Sequence, residues 1–275
     1  MVITRIFDLL DKYKDSPAKD DALCFKQNGS WTKYSSQQYI DMAYNFCYGL
    51  YEMGYRKGDL IVTVSTNRPE WNFVDMGMSM LGVVHVPVFT SLNSSELEHI
   101  LNHSGARMVI VSDGKLYKCM KCALDSSGNS IEVFTFDPVN GIASWLEVVE
   151  KGRTADEQTR KEVELIKAEI DSDTFATLIY TSGTTGDPKG VMLSHRNLVS
   201  NFTAAAQVFN LKPSDKFLSI LPLCHVGAEW VITKPSIVVQ VFIMPRAWGA
   251  LRQTCRRLNP MVLMPFHELW KSFMA

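Results

Sequence analysis

Apolar and polar residues follow one another along the chain in a pattern that predicts helices and strands in turn. Four short apolar runs predict strands buried on both faces, because such strands lose the apolar–polar alternation of half-exposed ones. The segments between them repeat apolar residues at helical spacing. This order predicts an α/β fold built on a mostly parallel sheet. The strands are expected at residues 60–64, 83–88, 108–111 and 131–136, and the helices at about 69–80, 95–102 and 115–123.

A helix, a hairpin and a second helix are predicted ahead of this alternation. The first helix covers about residues 3–13. Asn28 and Gly29 separate two apolar runs, and both residues tolerate positive φ, so they predict a tight hairpin turn. Ser35 and Gln38 have the spacing of a capping box and predict the start of the second helix.

A charge-rich segment at residues 154–170 predicts a helix that lies on the surface. Thr154 and Glu157 have capping-box spacing, so this helix is expected to begin there. Apolar runs at 175–180 and 191–193 predict two more strands, and a further helix is expected from about Ser194.

The composition of the 275 residues is that of an ordinary globular protein, with 46% hydrophobic residues and a net charge of −1. Disorder is therefore excluded, and the lack of a basic excess argues against a nucleic-acid partner. The longest apolar runs fall short of the ~18 residues that suggest a membrane span. Asp8 and Asp11 interrupt the N-terminal apolar stretch, so we expect no signal peptide and a cytoplasmic location.

Six cysteines lie far apart and are expected to be reduced thiols. Cys119 and Cys122 form a lone C-x-x-C without a second pair or a histidine at ligand spacing. A metal or redox role for these two residues is therefore the less favoured interpretation.

The segment with the strongest chemical signal is a loop that follows the predicted strand at residues 175–180. Glycines in this loop let backbone N–H groups approach an anion closely, and hydroxyl groups add further donors. A lysine adds a mobile positive charge that suits phosphate. These residues together predict a site for a polyphosphate tail. They are Thr181, Ser182, Gly183, Thr184, Thr185, Gly186, Lys189 and Gly190.

The loop does not fit the pattern G-x-x-x-x-G-K-[ST] of P-loop hydrolases. Counted from Gly183, Lys189 is in place, but Pro188 replaces the second glycine and Gly190 replaces the hydroxyl residue. The loop is also followed by a strand and not directly by a helix. An unrelated P-loop hydrolase and a flexible linker are therefore both disfavoured.

The segment from Tyr180 to His195, YTSGTTGDPKGVMLSH, resembles the phosphate-loop signature of the adenylate-forming superfamily. This superfamily includes acyl-CoA synthetases, luciferases and nonribosomal adenylation domains. Other segments resemble further motifs of this superfamily and occur in the same order along the chain. Their sequences are most similar to those of long-chain fatty acyl-CoA synthetases. They lie at residues 67–71, 81–87 and 221–225.

The resemblance implies a layered α/β fold with two mostly parallel sheets and flanking helices. It places the chain in the large N-terminal AMP-binding domain of such an enzyme. Residues 1–59 and 215–275 are expected to form one α/β lobe, and residues 60–212 the other, with the phosphate loop at 180–190.

The resemblance also implies a two-step reaction. A carboxylate attacks the α-phosphate of ATP to give an acyl-adenylate and pyrophosphate, and coenzyme A then displaces AMP. The residues from Thr181 to Gly186, with Lys189, are expected to bind the β- and γ-phosphates. Thr184 is expected to help ligate Mg²⁺. His225 is the expected catalytic residue beside the acyl carboxylate, and Trp230 is expected to wall the acyl pocket.

The sequence also departs from the family pattern. Gly227 and Ala228 precede Glu229 and Trp230, where long-chain synthetases usually have an aromatic residue and then Glu-Arg. The later family motifs, which complete the Mg²⁺ and ribose sites and supply the catalytic lysine of a C-terminal domain, have no counterpart in the 275 residues. The chain is therefore expected to be the N-terminal portion of a ligase. The alternative is a non-catalytic, degenerate AMP-binding module that binds phosphate or a partner.

The expected small-molecule ligands are a fatty acid and ATP. This interpretation also includes two further partners: a membrane surface, through peripheral contact, and a second copy of the chain, through self-association. Self-association is expected to use apolar strands at residues 237–243 and 261–264, which would form an unpaired edge, and the apolar face of a helix at 266–274.

We predict that these 275 residues, expressed alone, show no acyl-CoA synthetase activity. The expected reason is that they lack the family's catalytic lysine and ribose site, which position the α-phosphate and so lower the barrier. AMP release from palmitate, ATP, Mg²⁺ and coenzyme A measures this activity. Turnover close to that of an intact synthetase would contradict the prediction.

Overall fold

The structure, a computed structural model, describes residues 2–27, 30–128, 130–181, 187–208, 216–219, 222–224 and 239–243. The helices in this part of the chain are α1 (Asp8–Lys14), α2 (Ser36–Glu52), α3 (Pro69–Leu81), α4 (Ser94–Ser104), α5 (Gly114–Ser126), α6 (Trp145–Arg153), α7 (Glu157–Glu169) and α8 (His195–Val208). The strands are β1 (Leu23–Gln27), β2 (Ser30–Tyr34), β3 (Leu60–Val64), β4 (Val84–Val88), β5 (Met108–Val111), β6 (Glu132–Thr135), β7 (Ala143–Ser144), β8 (Phe175–Thr181), β9 (Lys189–Ser194), β10 (Lys216–Ser219) and β11 (Val239–Ile243).

The larger sheet has seven strands in the order β7-β6-β5-β3-β4-β8-β9. All neighbouring pairs are parallel except β8 and β9, which form an antiparallel pair at one end of the sheet. The four apolar runs predicted as buried strands are β3 to β6, so the prediction of a mostly parallel α/β sheet is confirmed.

Side chains on both faces of this sheet are buried. One face, which includes Ile61 and Ile110, belongs to a large apolar core shared with α2, α3 and α6. The opposite face, which includes Val62 and Val109, packs with α4 and α5. Since both faces are covered, neither needs polar side chains, which is why these strands have apolar runs in the sequence.

The second sheet has four described strands in the order β10-β11-β1-β2. β1 and β2 form the predicted hairpin, whose turn residues Asn28 and Gly29 lie outside the described residues. β11 runs parallel to both β1 and β10. The expectation of an unpaired edge at residues 237–243 is therefore wrong for β11, because this strand is paired on both sides, with β1 and with β10. The predicted strand at 261–264 and helix at 266–274 lie outside the described residues.

Two helix starts differ from those expected. The first helix begins at Asp8, because the amides of Asp8, Leu9 and Leu10 bond to carbonyl oxygens three residues back, in turns that precede the helix. The Asp8 carboxylate also accepts hydrogen bonds from the backbone amides of Thr4 and Arg5, both at 2.9 Å. The capping box at Thr154 is wrong: Thr154 ends α6, and Asp156 caps α7 by accepting a 2.8 Å hydrogen bond from the amide of Thr159. α7 is also more than a surface helix, since it buries Thr159, Val163 and Lys167.

The sequence interpretation missed α6, which begins with a capping box formed by Ser144 and Glu147. α6 lies against α2 so closely that two glycines are needed at the contact. A Cβ on Gly152 would be 1.8 Å from the carbonyl oxygen of Asn45, and one on Gly49 would be 1.9 Å from that of Val148. Because both obstacles are backbone atoms, a side chain at either glycine would force the helices apart.

We predict that Gly152→Ala lowers the free energy of unfolding by about 1–3 kcal/mol, the usual cost of overpacking. Urea denaturation followed by far-UV circular dichroism measures it. Gly128→Ala is the control, because a Cβ at Gly128 meets nothing within 4 Å. Equal unfolding midpoints for the two variants would show that α2 and α6 can move apart without lowering the free energy of unfolding.

Candidate functional site

The candidate site lies where β4 and β8 end, side by side, in the larger sheet. The two strands pair through His85 and Thr177, and the Thr177 hydroxyl donates a 2.9 Å hydrogen bond to the carbonyl oxygen of His85. Ligands of open α/β sheets bind at the carboxyl ends of the parallel strands. β8 reaches this edge at Thr181, the first residue of the predicted phosphate site.

The phosphate loop connects β8 to β9 as an antiparallel hairpin. In its register Thr181 lies opposite Lys189, and both residues are exposed to solvent. The stem therefore brings a hydroxyl and an ammonium group to the same end of the hairpin. The strand after the loop begins at Lys189 and not at residue 191 as expected. The predicted site residues Ser182, Gly183, Thr184, Thr185 and Gly186 lie outside the described residues.

Gly190 has a packing role in this hairpin. A Cβ on Gly190 would come within 2.9 Å of Cδ1 of Leu178 on the paired strand. The sequence interpretation gave this glycine only the role of exposing backbone N–H groups. Its position in β9, opposite Tyr180, gives it a packing contact that the sequence interpretation did not predict.

A cavity of about 350 Å³ opens beside Thr181. Most of its walls are apolar, and Glu96 and Thr181 add polar atoms. This combination of an apolar cavity with few polar groups is typical of small-molecule sites. The walls come from the end of β4, from α4, from the end of β8 and from Cys224.

Asn67 joins two of the sequence landmarks. Its side-chain oxygen accepts a 3.0 Å hydrogen bond from the amide of Leu223, and its side-chain nitrogen lies 3.3 Å from the hydroxyl of Ser219. These contacts hold residues 222–224 against the end of β3, so Cys224 reaches the cavity. The next residue, His225, and Trp230 lie outside the described residues, and their predicted roles are not tested.

The sequence interpretation missed the contribution of α4. Glu96 and Ile100 of this helix line the cavity, while His99 and His103 contact the β8–β9 hairpin, the predicted phosphate hairpin. The signal that identifies them is their spacing of three or four residues, which puts all four on one helix face. Which element that face meets depends on strand order, which the spacing does not reveal.

Two other histidines are buried and hold the fold together. His85 lies between Asp75, 2.6 Å from Nδ1, and Thr63, 2.7 Å from Nε2. His195, the last residue of the loop signature, accepts a 3.4 Å hydrogen bond from the amide of Ile6 at Nδ1 and meets the ring of Phe7 edge-on. Burial lowers the pKa of His195 from 6.5 to about 4, so its ring is neutral at physiological pH.

We predict that His195 makes the protein acid-sensitive. The unfolded chain binds a proton at His195 below pH 6.5 and the folded chain only near pH 4, so the free energy of unfolding falls as pH decreases through this window. From pH 7 to pH 5 the wild type should lose about 1–2 kcal/mol more than His195→Gln. Urea titrations at both values measure this.

Between pH 7 and pH 8 the stability difference between the wild type and His195→Gln should stay constant, which serves as the internal control. An equal loss in both proteins between pH 7 and pH 5 would mean that His195 does not control the acid response.

The part of the chain that the structure describes contains no group of three or more His, Cys, Asp and Glu side chains placed to hold a metal ion. Cys119 and Cys122 are exposed thiols on α5, and Thr184, the expected Mg²⁺ ligand, lies outside the described residues. None of the described helices is long and apolar enough to cross a membrane.

The chain matches known proteins in sequence and in fold. A family model described as "AMP-binding enzyme" matches residues 11–275. The chain is 27% identical to long-chain-fatty-acid–CoA ligase ACSBG1 of Rattus norvegicus over 98% of its length and 38% of the relative. It is 31% identical to fatty acyl-CoA synthetase A of Dictyostelium discoideum over 83% of its length and 36% of the relative. The chain thus spans less than two-fifths of these relatives.

Solved structures show the same fold at lower identity. A long-chain-fatty-acid-CoA ligase (FadD1) from Archaeoglobus fulgidus matches with a TM-score of 0.77 and 20% identity, over 93% of this chain and 50% of that one. The anthranilate CoA ligase AuaEII in complex with anthranoyl-AMP matches with a TM-score of 0.76 and 21% identity, over 93% and 48%.

Proposed function

Because the chain belongs to the AMP-binding enzyme family, we propose that it is the N-terminal part of an ATP-dependent long-chain fatty acyl-CoA ligase. The whole protein would join a fatty acid to ATP as an acyl-adenylate with release of pyrophosphate, and would then transfer the acyl group to coenzyme A. The names of the curated relatives support this choice of substrate class.

One observation carries the proposal. Thr181 and Lys189 face each other across the hairpin stem, at the carboxyl edge of the sheet and beside an apolar cavity. A hydroxyl donor and a cation at one end of a hairpin suit an anion, and the cavity offers an adjacent surface for the rest of a ligand.

The proposed role of the hairpin is to hold the polyphosphate of ATP. The ammonium group of Lys189 would offset the negative charge that builds on the departing pyrophosphate, and the hydroxyl of Thr181 would donate a hydrogen bond to it. A bound Mg²⁺ would supply further charge neutralisation, with Thr184 as the ligand that the loop contributes. Holding the tail in place orients the α-phosphate toward the attacking carboxylate.

We place the acyl end of the site near residue 225. Cys224 lines the cavity, and Asn67 fixes the segment that precedes it. His225 follows directly in the chain and would stand beside the carboxylate, with Trp230 as a wall of the acyl pocket. Sheet membership supports the proposed division into one lobe of residues 1–59 with 215–275 and another of 60–212, since β1, β2, β10 and β11 share the smaller sheet.

The proposal extends to location and further partners. A long apolar acyl chain gains about 0.8 kcal/mol per CH₂ on entering a bilayer, so its enzyme would collect it at a membrane surface. We therefore propose cytoplasmic action with peripheral membrane contact. Self-association through the smaller sheet would use its outer described strands, β10 and β2.

We predict that Lys189→Ala weakens the binding of Mg²⁺-pyrophosphate by about 1–3 kcal/mol, the usual contribution of a charged hydrogen bond. Isothermal calorimetry at fixed salt measures the affinity. Lys161→Ala is the matched control, because Lys161 is an exposed lysine on the remote helix α7. Equal affinities for Lys189→Ala and Lys161→Ala would remove Lys189 from the site.

A further inference from the structure

Two histidines of α4 face the phosphate hairpin one helical turn apart. The ring centroids of His99 and His103 are 5.6 Å apart, and the ring planes are nearly parallel at 21°. The same helix face carries Glu96 and Ile100, which line the cavity. The stacked rings therefore stand beside the candidate site and not on a distant surface.

The two histidines contact opposite sides of the hairpin, His103 at Tyr180 of β8 and His99 at Pro188, the residue before β9. Nδ1 of His103 lies 2.7 Å from the hydroxyl of Tyr180, and the two rings meet edge-on at 5.7 Å. Nε2 of His99 lies 3.2 Å from the carbonyl oxygen of Pro188. A carbonyl oxygen can only accept, so Nε2 of His99 carries the proton. One helix thus holds both stems of the loop.

The two contacts border the predicted phosphate site directly. Tyr180 precedes Thr181, and Pro188 precedes Lys189, the residue opposite Thr181 in the hairpin register. Pro188 has no N–H group to donate to the strand ladder, so its carbonyl contact with His99 gives this end of the stem an anchor outside the hairpin.

The two strands of the hairpin are restrained unequally, because β8 also pairs with β4 in the larger sheet. β9 is the last strand of the larger sheet in the described part of the chain, and Val191 and Met192 on it are exposed. An edge strand is held by backbone pairing on one side alone, so contacts from a neighbouring element add to the restraint of its end at Lys189. α4 supplies such contacts to Tyr180 on β8 and to Pro188, directly before β9.

We infer that His99 and His103 are positioning residues that clamp the two stems of the phosphate loop. By fixing Tyr180 and Pro188, they hold Thr181 and Lys189 at one separation before a ligand arrives. This preorganisation removes part of the entropic cost of binding. The identity of the ligand in this inference rests on the proposed function, whereas the clamp itself is a property of the ligand-free chain.

Hydrogen exchange of the ligand-free chain tests the clamp. In His99→Leu/His103→Leu, amides of the β8–β9 stem should exchange about tenfold faster than in the wild type, since two hydrogen bonds are lost. Exchange in β3 and β5 should not change. The double variant His99→Gln/His103→Asn places amide groups near the original Nε2 and Nδ1 positions and should restore most of the protection. Single variants are measured in the same way, so that unfolding of a double variant does not end the test.

Calorimetry with Mg²⁺-pyrophosphate tests the consequence. The leucine double variant should bind about five- to tenfold more weakly than the wild type, and the Gln/Asn variant should stay within about twofold. Ser95→Ala, on an exposed position of the same helix, is the control and should bind like the wild type.

The outcomes separate the inference from the proposed function. A wild type that does not bind pyrophosphate contradicts the proposed function, while hydrogen exchange still decides on the clamp. Unchanged exchange in a folded leucine variant overturns the clamp. Equal loss of protection in the leucine and Gln/Asn variants also overturns it, because the hydrogen bonds would then not hold the hairpin.

Discussion

The candidate site depends on one lateral contact in the larger sheet, the seam between β4 and β8. The two strands meet at His85 and Thr177, and the Thr177 side chain adds a hydrogen bond to the backbone of His85. The ring of His85 is itself held from both nitrogens by Asp75 and Thr63. Buried, fully bonded polar networks fix one arrangement among many. This network therefore helps to fix where β8, and with it the β8–β9 hairpin, lies in the sheet.

Local signals in the sequence were enough to predict much of the fold. β3 to β6 lie where apolar runs predicted them, because strands covered on both faces need no polar side chains. The capping box at Ser35 and Gln38 is confirmed, since its two hydrogen bonds join residues only three apart. The two strands that flank the loop were predicted in the same way, from apolar runs within one short segment, and the phosphate-binding role of the loop stays a prediction.

The missed features depend on competition between neighbours or on distant contacts. Thr154 and Asp156 are both residue types that cap helix N-termini. Asp156 caps α7 because Thr154 is already the C-cap of α6. The meeting of α4 with the hairpin and of Asn67 with Leu223 follows from strand order. One sequence does not determine strand order, so the strands that flank the loop were predictable whereas the walls of the cavity beside them were not.

The pairing of β1 with β11 has a consequence for biosynthesis. Leu23 pairs with Gln240, so β1 gains this neighbour only after the chain has been made as far as β11. At a synthesis rate of about 5–20 residues per second, this leaves one side of β1 open for roughly 10–40 s after it leaves the ribosome. The larger sheet, whose strands β3 to β6 lie close together in the chain, can form during that interval. Nascent chains are then most exposed to strand exchange with one another at β1, and chaperone contact there would protect them.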